Sequence, residues 1–264
     1  MGKLILAIDV GNSVTSVGLF DAEGHLSFRS DLATDLSSTR DQCAVRLLDV
    51  FRLYGAQTEA VTGTILSSVV PGMTAALCEA VAFLTGKPPM LMGPGVKTGL
   101  NIKSDIHTQM GTDIVAVSVA AIAKYPGPII VVDMGTAVAL SVLVGSTYEG
   151  CVLMPGVNVA LEALSNRAAE LPHISIEPPA CVLGHNTVEA MRAGIVYGSA
   201  SMVDGMIERL EAASVPAATV VGTGAAAPEI LRYCKRKIIY DVNLLLDGLY
   251  LIYRKNTEGR QRRT

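Results

Sequence analysis

Two stretches of the chain share one pattern of apolar and polar positions. Each opens with a continuous aliphatic run, rich in β-branched residues, that ends at an aspartate and a glycine, and a small polar residue and a second apolar run follow. The first copy contains Asp9 and Gly11, and the second contains Asp133 and Gly135, at a constant offset of 124 residues. The repeat predicts two similar halves, each beginning with a buried β-hairpin.

The repeat sets the expected domain boundaries. We assign residues 1–124 to the first half, residues 125–255 to the second, and residues 256–264 to a basic tail. The residues from Arg254 onward include five bases and one acid. We interpret the tail as a solvated, disordered terminus, with contact to a phosphate or an acidic partner as the alternative.

Helical spacing follows the predicted strands in both halves. Apolar residues recur at this spacing from Ser38, a candidate cap, to Tyr54. Thr112 is predicted to cap a second helix that ends before Pro126, and a third begins near Asn186. Further strand-like runs lie at Val61–Val70, Met90–Met92 and Ala218–Val221. Strands followed by helices in each half predict an α/β fold, with mixed sheets covered by helices.

The composition excludes several classes of protein. Half of the residues are hydrophobic and 17% are charged, against an average near 25%, which indicates a large buried core rather than a disordered chain. Trp is absent, aromatic residues make up 5%, and the net charge is −3. These values argue against a surface that binds nucleic acid by stacking on bases and attracting phosphates.

The apolar stretches predict buried strands rather than membrane spans. The longest runs from Pro128 to Gly145 and is interrupted by Asp133 and Gly135. The N-terminal run ends at Asp9 without a cleavage site, so we expect neither a secretory signal nor a membrane anchor. The five cysteines are odd in number and widely spaced, and we interpret them as reduced core residues of a cytoplasmic protein.

The first Asp-Gly turn has the residues of a phosphate site. A carboxylate such as Asp9 at the end of a buried strand is costly unless it meets a cation or hydrogen-bond donors. Gly11 lets the backbone approach an anion, and Asn12 and Ser13 add donors, so the turn could hold a phosphate and its Mg²⁺. An ordinary hairpin turn is the alternative. The second copy favours phosphate binding, because two facing turns could clamp a triphosphate.

A third glycine-rich element lies late in the chain. Residues Gly222, Thr223 and Gly224 follow an apolar strand and precede a helix start near Pro228. Such a turn could pack against the base or ribose of a nucleotide, where side chains would collide. An ordinary strand-to-helix turn explains the same residues equally well.

Several motifs, in order, resemble one known family. Duplicated Asp-Gly hairpins with a late glycine turn are similar to the acetate and sugar kinase, Hsp70 and actin superfamily. Over nearly its whole length the chain resembles a type III pantothenate kinase. The motifs that carry the resemblance are AIDVGNSVTSVGLF, LSSVVP, GPGVKTGL, GTD, VVDMGTA, the Gly-x-x-x-x-Pro-Gly of Gly150 to Gly156, ELPHI, GHNTVEAMRAGIVYG and VNLLLDGLYLIYRKN.

The resemblance implies a fold and an activity. The fold would be two ribonuclease H-like halves of the actin-like ATPase (ASKHA) type. The activity would be ATP-dependent phosphorylation of the primary hydroxyl of pantothenate, the first step toward coenzyme A. ATP, Mg²⁺ and a monovalent cation, K⁺ or NH₄⁺, are the implied cofactors.

The resemblance also implies roles for matching residues. Asp113 matches the catalytic base, Asp9 lies near Mg²⁺, and Asp133 matches a site for the monovalent cation. The residues implied to bind ATP or its phosphates are Asp9, Gly11, Asn12, Ser13, Gly135, Thr136, Gly222, Thr223 and Gly224. Those implied for the substrate side are Gly95, Lys97, Thr98, Gly99, Gly111 and Thr187.

The position of Asp113 refines its implied role. In the first turn of a helix, the dipole and the unpaired N–H groups stabilise an ionised carboxylate. We therefore expect Asp113 to orient the acceptor hydroxyl and take its proton late, as suits a loose phosphoryl-transfer transition state. Taken alone, Asp113 is equally an ordinary acidic first-turn residue.

Two substrate-side motifs depart from the family pattern. Gly-Ala-Asp-Arg reads Gly-Thr-Asp-Ile at 111–114, so Ile114 replaces the Arg that helps hold the carboxylate of pantothenate. The Tyr-x-Asn-Pro stretch is replaced by residues 103–108, where Lys103 and His107 are either substitute cations or solvated loop residues. Three functions therefore stay open: a pantothenate kinase, a kinase for another small hydroxylated substrate, or a nucleotide-binding paralogue with a regulatory or binding role.

A homodimer is the expected assembly. The resemblance implies a partner subunit that completes the substrate pocket. The third helix also carries Ala190, Gly194 and Gly198 four residues apart, and a row of small residues allows close helix packing. Apart from a second copy, we expect only a small-molecule substrate as partner, and neither nucleic acid nor membrane.

Overall fold

The computed structural model of the chain describes residues 3–103 and 110–261, with side chains as far as Glu258. It is an α/β protein that divides into two compact units. Unit 1 comprises residues 1–99, 108–120 and 244–264, and unit 2 comprises residues 100–107 and 121–243. Within the described ranges, no helix is both long and apolar enough to cross a bilayer.

Eleven strands, seven α-helices and one 3₁₀ turn are found in the described part of the chain. The strands are β1 (Leu4–Val10), β2 (Val14–Phe20), β3 (Leu26–Ala33), β4 (Val61–Ser68), β5 (Met90–Leu91), β6 (Asn101–Ile102), β7 (Ile129–Met134), β8 (Ala137–Val144), β9 (Thr147–Pro155), β10 (Thr219–Thr223) and β11 (Ile239–Tyr240). The helices are α1 (Arg40–Leu53), α2 (Pro71–Thr85), α3 (Thr112–Lys124), α4 (Val157–Arg167), α5 (Thr187–Ala213), α6 (Ala227–Leu231) and α7 (Leu244–Gln261), and the 3₁₀ turn is Thr58–Ala60.

Unit 1 is a five-stranded sheet in the order β3-β2-β1-β4-β5. β1 pairs antiparallel with β2 and parallel with β4. Because side chains alternate along a strand, Leu6 and Ile8 of β1 pack with α1 and α2. Ala7 points the opposite way and packs with Ala116 of α3 and Leu249 of α7. The sheet is therefore buried on both faces.

The cap of α1 differs from the expectation by one residue. Thr39, not Ser38, is the N-cap. The Thr39 side chain accepts from the backbone N–H of Gln42, whose side chain accepts from the Thr39 N–H at 2.8 Å. This reciprocal capping box satisfies two of the otherwise unpaired groups at the helix start, so the helix begins after Thr39.

Unit 2 repeats the topology of unit 1. Its sheet has the order β11-β10-β7-β8-β9-β6, with β7 antiparallel to β8 and parallel to β10. The series β3-β2-β1-β4-β5 therefore matches β9-β8-β7-β10-β11, and β6 is added at one edge. The duplication that the 124-residue offset predicts is present in the fold.

The C-terminal segment corrects the expected boundaries. Residues 256–264 were expected to be a disordered tail and 125–255 a continuous second half, but α7 continues to Gln261 and belongs to unit 1. Its apolar residues Leu246, Leu249 and Ile252 recur at helical spacing and are buried in the core of unit 1. Packing of this face holds the helix in place, and residues 262–264 lie outside the described residues.

The cysteines are free thiols, as expected, although only Cys43 is fully buried. Cys78, Cys151, Cys181 and Cys234 are partly exposed. Burial raises the pKa of the Cys43 and Cys78 thiols above the usual value, and it raises the pKa of Cys234 to about 12. These three thiols are therefore poor nucleophiles near neutral pH.

Candidate active site

The first Asp-Gly turn is an exposed hairpin tip on a buried base. The Gly11 N–H donates to the carbonyl of Val14 at 3.0 Å, which closes the turn between β1 and β2. The hydroxyl of Thr34, which follows the last residue of β3, donates to the Gly11 carbonyl oxygen at 2.8 Å. Asn12 and Ser13 lie exposed at the tip. The exposed residues of the turn can therefore donate hydrogen bonds to an anion, while the hydrogen bonds of Gly11 to Val14 and Thr34 fix the backbone.

Asp9 is the last residue but one of β1, lies among its buried residues and is 6% exposed. Its Oδ1 accepts a 2.6 Å hydrogen bond from the hydroxyl of Ser67, its neighbour in register on β4. The Ser67 oxygen lies 2.8 Å from the hydroxyl oxygen of Thr112, the first residue of α3. A buried carboxylate with hydroxyl partners is a hard oxygen environment of the kind that suits Mg²⁺.

Asp113 lies in the first turn of α3 and is partly buried. The backbone N–H of Ile114 donates to Asp113 Oδ1 at 2.8 Å, so a helix-start N–H holds the carboxylate as expected. A Cβ at Gly111 would lie 2.1 Å from the same oxygen. Glycine at 111 therefore leaves the space that the Asp113 carboxylate occupies.

The loop at 95–99 is fastened to α7. Gly95 and Gly99 have left-handed backbone, with φ of 90° and 79°. Asn256 binds both backbone groups of Lys97, because its Oδ1 accepts from the N–H at 3.0 Å and its Nδ2 donates to the carbonyl at 2.9 Å. The Lys255 ammonium donates to the Thr98 carbonyl at 3.4 Å. The predicted substrate-side loop therefore takes its shape from the C-terminal helix.

The second Asp-Gly turn joins β7 and β8 in unit 2. Gly135 and Thr136 are exposed, and Asp133 is partly buried. The Gly156 N–H donates to the Thr136 carbonyl at 3.1 Å. A Cβ at Gly156 would lie 2.2 Å from the Thr136 oxygen and 2.6 Å from the Gly135 oxygen. Two carbonyl oxygens therefore converge on a position that only glycine can occupy.

The late glycine turn lies beside the second Asp-Gly turn. Thr223 at the end of β10 is in register with Asp133 on the parallel strand β7. Gly224 has a φ of 96°, and a Cβ there would lie 2.6 Å from the Met134 carbonyl carbon. Gly222 is buried, and its Cβ would meet Leu231 of α6 at 2.1 Å. Unit 2 therefore places the second Asp-Gly turn and the late glycine turn side by side, at the carboxyl ends of β7 and β10.

Thr187 is the first residue of α5 and is exposed. The preceding residue, Asn186, caps the helix by accepting from the Glu189 N–H at 3.0 Å. Glu189 Oε2 accepts from the His185 N–H, and this backbone hydrogen bond lowers the pKa of the Glu189 carboxyl. Thr187, His185 and Met191 line a groove of about 830 Å³ along α4 and α5.

Of the two candidate substitute cations in residues 103–108, the structure describes Lys103 but not His107. Lys103 pairs with Glu149, whose Oε1 lies 2.9 Å from the ammonium nitrogen. An ion pair at the edge of unit 2 accounts for Lys103 without an anionic substrate. His107 lies outside the described residues.

Three residues of the quoted motifs were given no role in these sites by the sequence. The Ser67 and Thr112 hydroxyls meet Asp9 across two elements, and Gly156 adjoins the second turn from the end of β9. A signal for Ser67 exists in the sequence, because carboxyl ends of neighbouring parallel strands meet at one edge of a sheet. The Thr112 contact depends on how α3 packs, which no local pattern reveals.

Comparison with known proteins identifies the family. A sequence model described as type III pantothenate kinase matches residues 5–209. A curated type III pantothenate kinase from Halalkalibacterium halodurans is 40% identical over 254 residues, which cover 96% of this chain and all of the relative. The chain belongs to the type III pantothenate kinase family. The resemblance drawn from the motifs is therefore confirmed.

Solved structures show the same fold at much lower identity. Component A of (R)-2-hydroxyglutaryl-CoA dehydratase from Acidaminococcus fermentans is 14% identical, with a TM-score of 0.60 over 97% of this chain and 100% of that one. The activator of 2-hydroxyisocaproyl-CoA dehydratase from Clostridium difficile, solved with bound ADPNP, is 12% identical with a TM-score of 0.60 over 99% and 98%. This type III pantothenate kinase family member therefore has the actin-like fold that the duplicated hairpins predict.

Proposed function

We propose that the chain transfers the γ-phosphoryl group of ATP to the primary hydroxyl of pantothenate, giving 4'-phosphopantothenate, the first step toward coenzyme A. Membership of a family whose curated relatives carry this activity in their name supports the proposal. The observation in the fold that carries it is a connection in unit 1. Asp9 is joined through Ser67 to Thr112, the residue next to Asp113. A cation-binding carboxylate and a proton acceptor are the groups that phosphoryl transfer requires.

Asp9 is the proposed ligand of Mg²⁺. The cation takes few protein carboxylates and completes its coordination with substrate phosphates and water, so one fixed aspartate fits it. When bound, Mg²⁺ neutralises charge on the phosphate oxygens. The Asn12 and Ser13 donors at the first turn, and those at Gly135 and Thr136 in the second, are proposed to bind phosphate oxygens.

Asp113 is the proposed catalytic base. The acceptor oxygen forms a bond to the γ-phosphorus while the bond from that phosphorus to the bridging oxygen breaks, and ADP leaves with the electron pair. The hydroxyl proton passes to the Asp113 carboxylate. Because Ile114 N–H holds Oδ1, the orientation of the carboxylate is fixed before the acceptor binds.

Three parts of the chain are proposed to bind pantothenate. The loop from Gly95 to Gly99 precedes α3, Gly111 adjoins the first residue of that helix, and Thr187 is the first residue of α5. We propose that the exposed Thr187 hydroxyl binds the acceptor. The fastening of the loop by Lys255 and Asn256 would keep Lys97 and Thr98 in one conformation.

The second turn is proposed to hold the monovalent cation, K⁺ or NH₄⁺. Support comes from the oxygen ligands that the turn carries: the partly buried Asp133 carboxylate is next to the last residue of β7, and the exposed Gly135 and Thr136 add backbone carbonyl oxygens. Carbonyl oxygens are common ligands of K⁺. The adjoining Gly222, Thr223 and Gly224 are proposed to contact the nucleotide, since a glycine-rich backbone admits a close ligand.

The proposed working form is a cytoplasmic homodimer. Ala190, Gly194 and Gly198 form an exposed stripe on α5, and the neighbouring Val182 and Leu183 are more than 70% exposed. A second copy packed against the stripe would bury this apolar surface. Five free thiols are compatible with a reducing compartment.

A second candidate is a kinase for a neutral acceptor. It is favoured by Ile114, which follows Asp113 directly and carries no charge to bind a carboxylate. A nucleotide-binding protein without turnover is the third possibility. Acceptor preference separates the three.

The test is ADP release by the purified chain with ATP, Mg²⁺ and K⁺, using pantothenate or pantothenol as acceptor. Pantothenol keeps the reactive hydroxyl but has a neutral alcohol in place of the carboxylate. We expect ADP release that depends on pantothenate. Turnover confined to pantothenol would favour the neutral acceptor, and nucleotide binding with neither turnover nor pantothenate binding would contradict the proposal.

A further inference from the structure

The hydroxyl chain that ends at Asp9 has a defined direction. An ionised carboxylate only accepts hydrogen bonds, so the single hydroxyl hydrogen of Ser67 is committed to Asp9 Oδ1 at 2.6 Å. The 2.8 Å contact between the Ser67 and Thr112 oxygens must therefore use the hydrogen of Thr112. Thr112 donates to Ser67, and Ser67 donates to Asp9.

The three residues meet because of the periods of their elements. Asp9 lies two residues after Ala7 on β1, and Ser67 two residues after Ile65 on β4, so each shares its neighbour's face of the sheet. Ala7 and Ile65 both belong to the core that contains Ala116 of α3. Thr112 precedes Ala116 by four residues and lies on the same side of the helix.

The hydrogen bonds that link Thr112, Ser67 and Asp9 lie in a buried part of the protein, so losing one is costly. Ser67 is 0% exposed and Asp9 is 6% exposed. A buried hydroxyl without a partner loses its hydration without compensation, and hydrogen bonds in series polarise one another. Loss of the Thr112 hydroxyl would leave the acceptor side of Ser67 without this donor. Loss of the Ser67 hydroxyl would remove a donor from Asp9 itself.

We propose that Thr112 and Ser67 are positioning residues that hold the Asp9 carboxylate in one orientation toward the divalent cation of the nucleotide. They also tie this carboxylate to the turn of α3 that carries Asp113. The ligand assignment rests on the proposed function, whereas the hydrogen-bond chain is a property of unit 1 alone. The first effect of breaking the chain is weaker divalent cation binding, and turnover falls as a consequence.

The test measures cation binding without turnover. Mn²⁺ is titrated into the full chain with the non-hydrolysable ATP analogue AMPPNP, and free Mn²⁺ is followed by electron paramagnetic resonance. We expect Thr112→Val, which keeps the shape and removes the hydroxyl, to weaken Mn²⁺ binding about three- to tenfold. Thr112→Ser restores the hydroxyl and should bind Mn²⁺ as the wild type does. If Thr112→Val does not fold, Thr112→Ala carries the same expectation.

A matched control lies on the same helix. Ser118 is 1% exposed, and its hydroxyl donates to the Ile114 carbonyl at 2.7 Å within α3. Ser118→Ala therefore removes a buried hydroxyl from α3 without touching the chain to Asp9. We expect this variant to bind Mn²⁺ as the wild type does.

The double variant tests whether the two hydroxyls act as a unit. Ser67→Ala already disconnects Thr112 from Asp9, so adding Thr112→Val should weaken Mn²⁺ binding little further. Mn²⁺ affinity of Thr112→Val equal to that of the wild type, failure of Thr112→Ser to restore it, or additive losses in the double variant would each overturn the inference.

These outcomes are separable from failure of the proposed function. A wild-type chain that binds Mn²⁺ with AMPPNP but does not phosphorylate pantothenate contradicts the function, and the variants still test the positioning role. A chain that phosphorylates pantothenate while Thr112→Val keeps full Mn²⁺ affinity contradicts the inference alone.

Discussion

Asp113 illustrates how neighbouring residues prepare a carboxylate for its proposed role. Gly111 leaves the space that its Oδ1 occupies, and the Ile114 N–H fixes that oxygen. Both features follow from position at a helix start, where N–H groups lack partners inside the helix. A carboxylate held in this way is ready to accept a hydrogen bond from an alcohol.

Substitution of Asp113 by Asn tests the base role. The amide is nearly isosteric but cannot take the proton, so we expect turnover with pantothenate to fall at least about a hundredfold while nucleotide binding persists. Steady-state kinetics and calorimetric titration with nucleotide measure the two effects. Asp49→Asn on the exposed face of α1 is the control. An Asp113→Asn variant with full activity would exclude Asp113 as the base.

At this scale, local sequence predicted the turns but not the partners of their side chains. It located the helix starts to within a residue: Thr39 rather than Ser38 caps α1, and Thr112, expected to cap α3, is its first residue. Asp9, Asp113 and Thr187 each lie at the end of an element or one residue from it, as expected. The Ser67 and Thr112 link joins residues 45 positions apart through the packing of a helix on a sheet. The binding roles assigned to the site residues remain predictions.

At the scale of elements, α7 shows how packing overrides a terminal charge pattern. The basic residues after Arg254 suggested a frayed tail. The preceding turns bury Leu246, Leu249 and Ile252, and Asn256 binds the backbone of Lys97, so the helix continues through the basic segment. Helix α7 thereby fixes the conformation of the loop at residues 95–99, far from it in sequence.

Close packing of α7 on α3 predicts a large effect of one methyl group. A Cβ at Gly248 would lie 1.9 Å from the carbonyl oxygen of Ala116, and backbone cannot move aside cheaply. We expect Gly248→Ala to lower the free energy of unfolding by about 3 kcal/mol, although alanine favours helix elsewhere. Urea denaturation measures the change.

The control for this substitution is Gly72→Ala in α2, where a Cβ would meet nothing within 4 Å. It should leave stability unchanged or slightly raised. Equal stability of Gly248→Ala and the wild type would contradict the close approach of the two helices.

At the scale of the whole molecule, duplication was the feature most readily predicted. An aspartate and a glycine repeated at a fixed offset mark equivalent hairpins, and the two sheets share one strand order. The continuous division at residue 124 was not correct, because α7 returns to unit 1 and residues 100–107 join unit 2. Such crossings depend on contacts between residues far apart in sequence, which local patterns do not encode.

The dimer proposal makes a prediction about assembly. Beyond the backbone of its own helix, a Cβ at Gly194 would meet no atom of the described residues within 4 Å, but a leucine there would obstruct a second copy on the α5 stripe. We expect the wild type to sediment as a dimer at micromolar concentration and Gly194→Leu to sediment as a folded monomer. Gly72→Leu, at an equally open position on α2, should stay dimeric. A monomeric wild type would contradict the proposal.

The central claim is that this chain phosphorylates pantothenate, and the product itself tests it most directly. The purified chain is incubated with γ-labelled ATP, Mg²⁺, K⁺ and pantothenate, and the products are separated and identified by mass. The predicted result is 4'-phosphopantothenate carrying the label, formed in equal amount to ADP. ADP formation with the label only in inorganic phosphate, or no labelled product at all, would contradict the account.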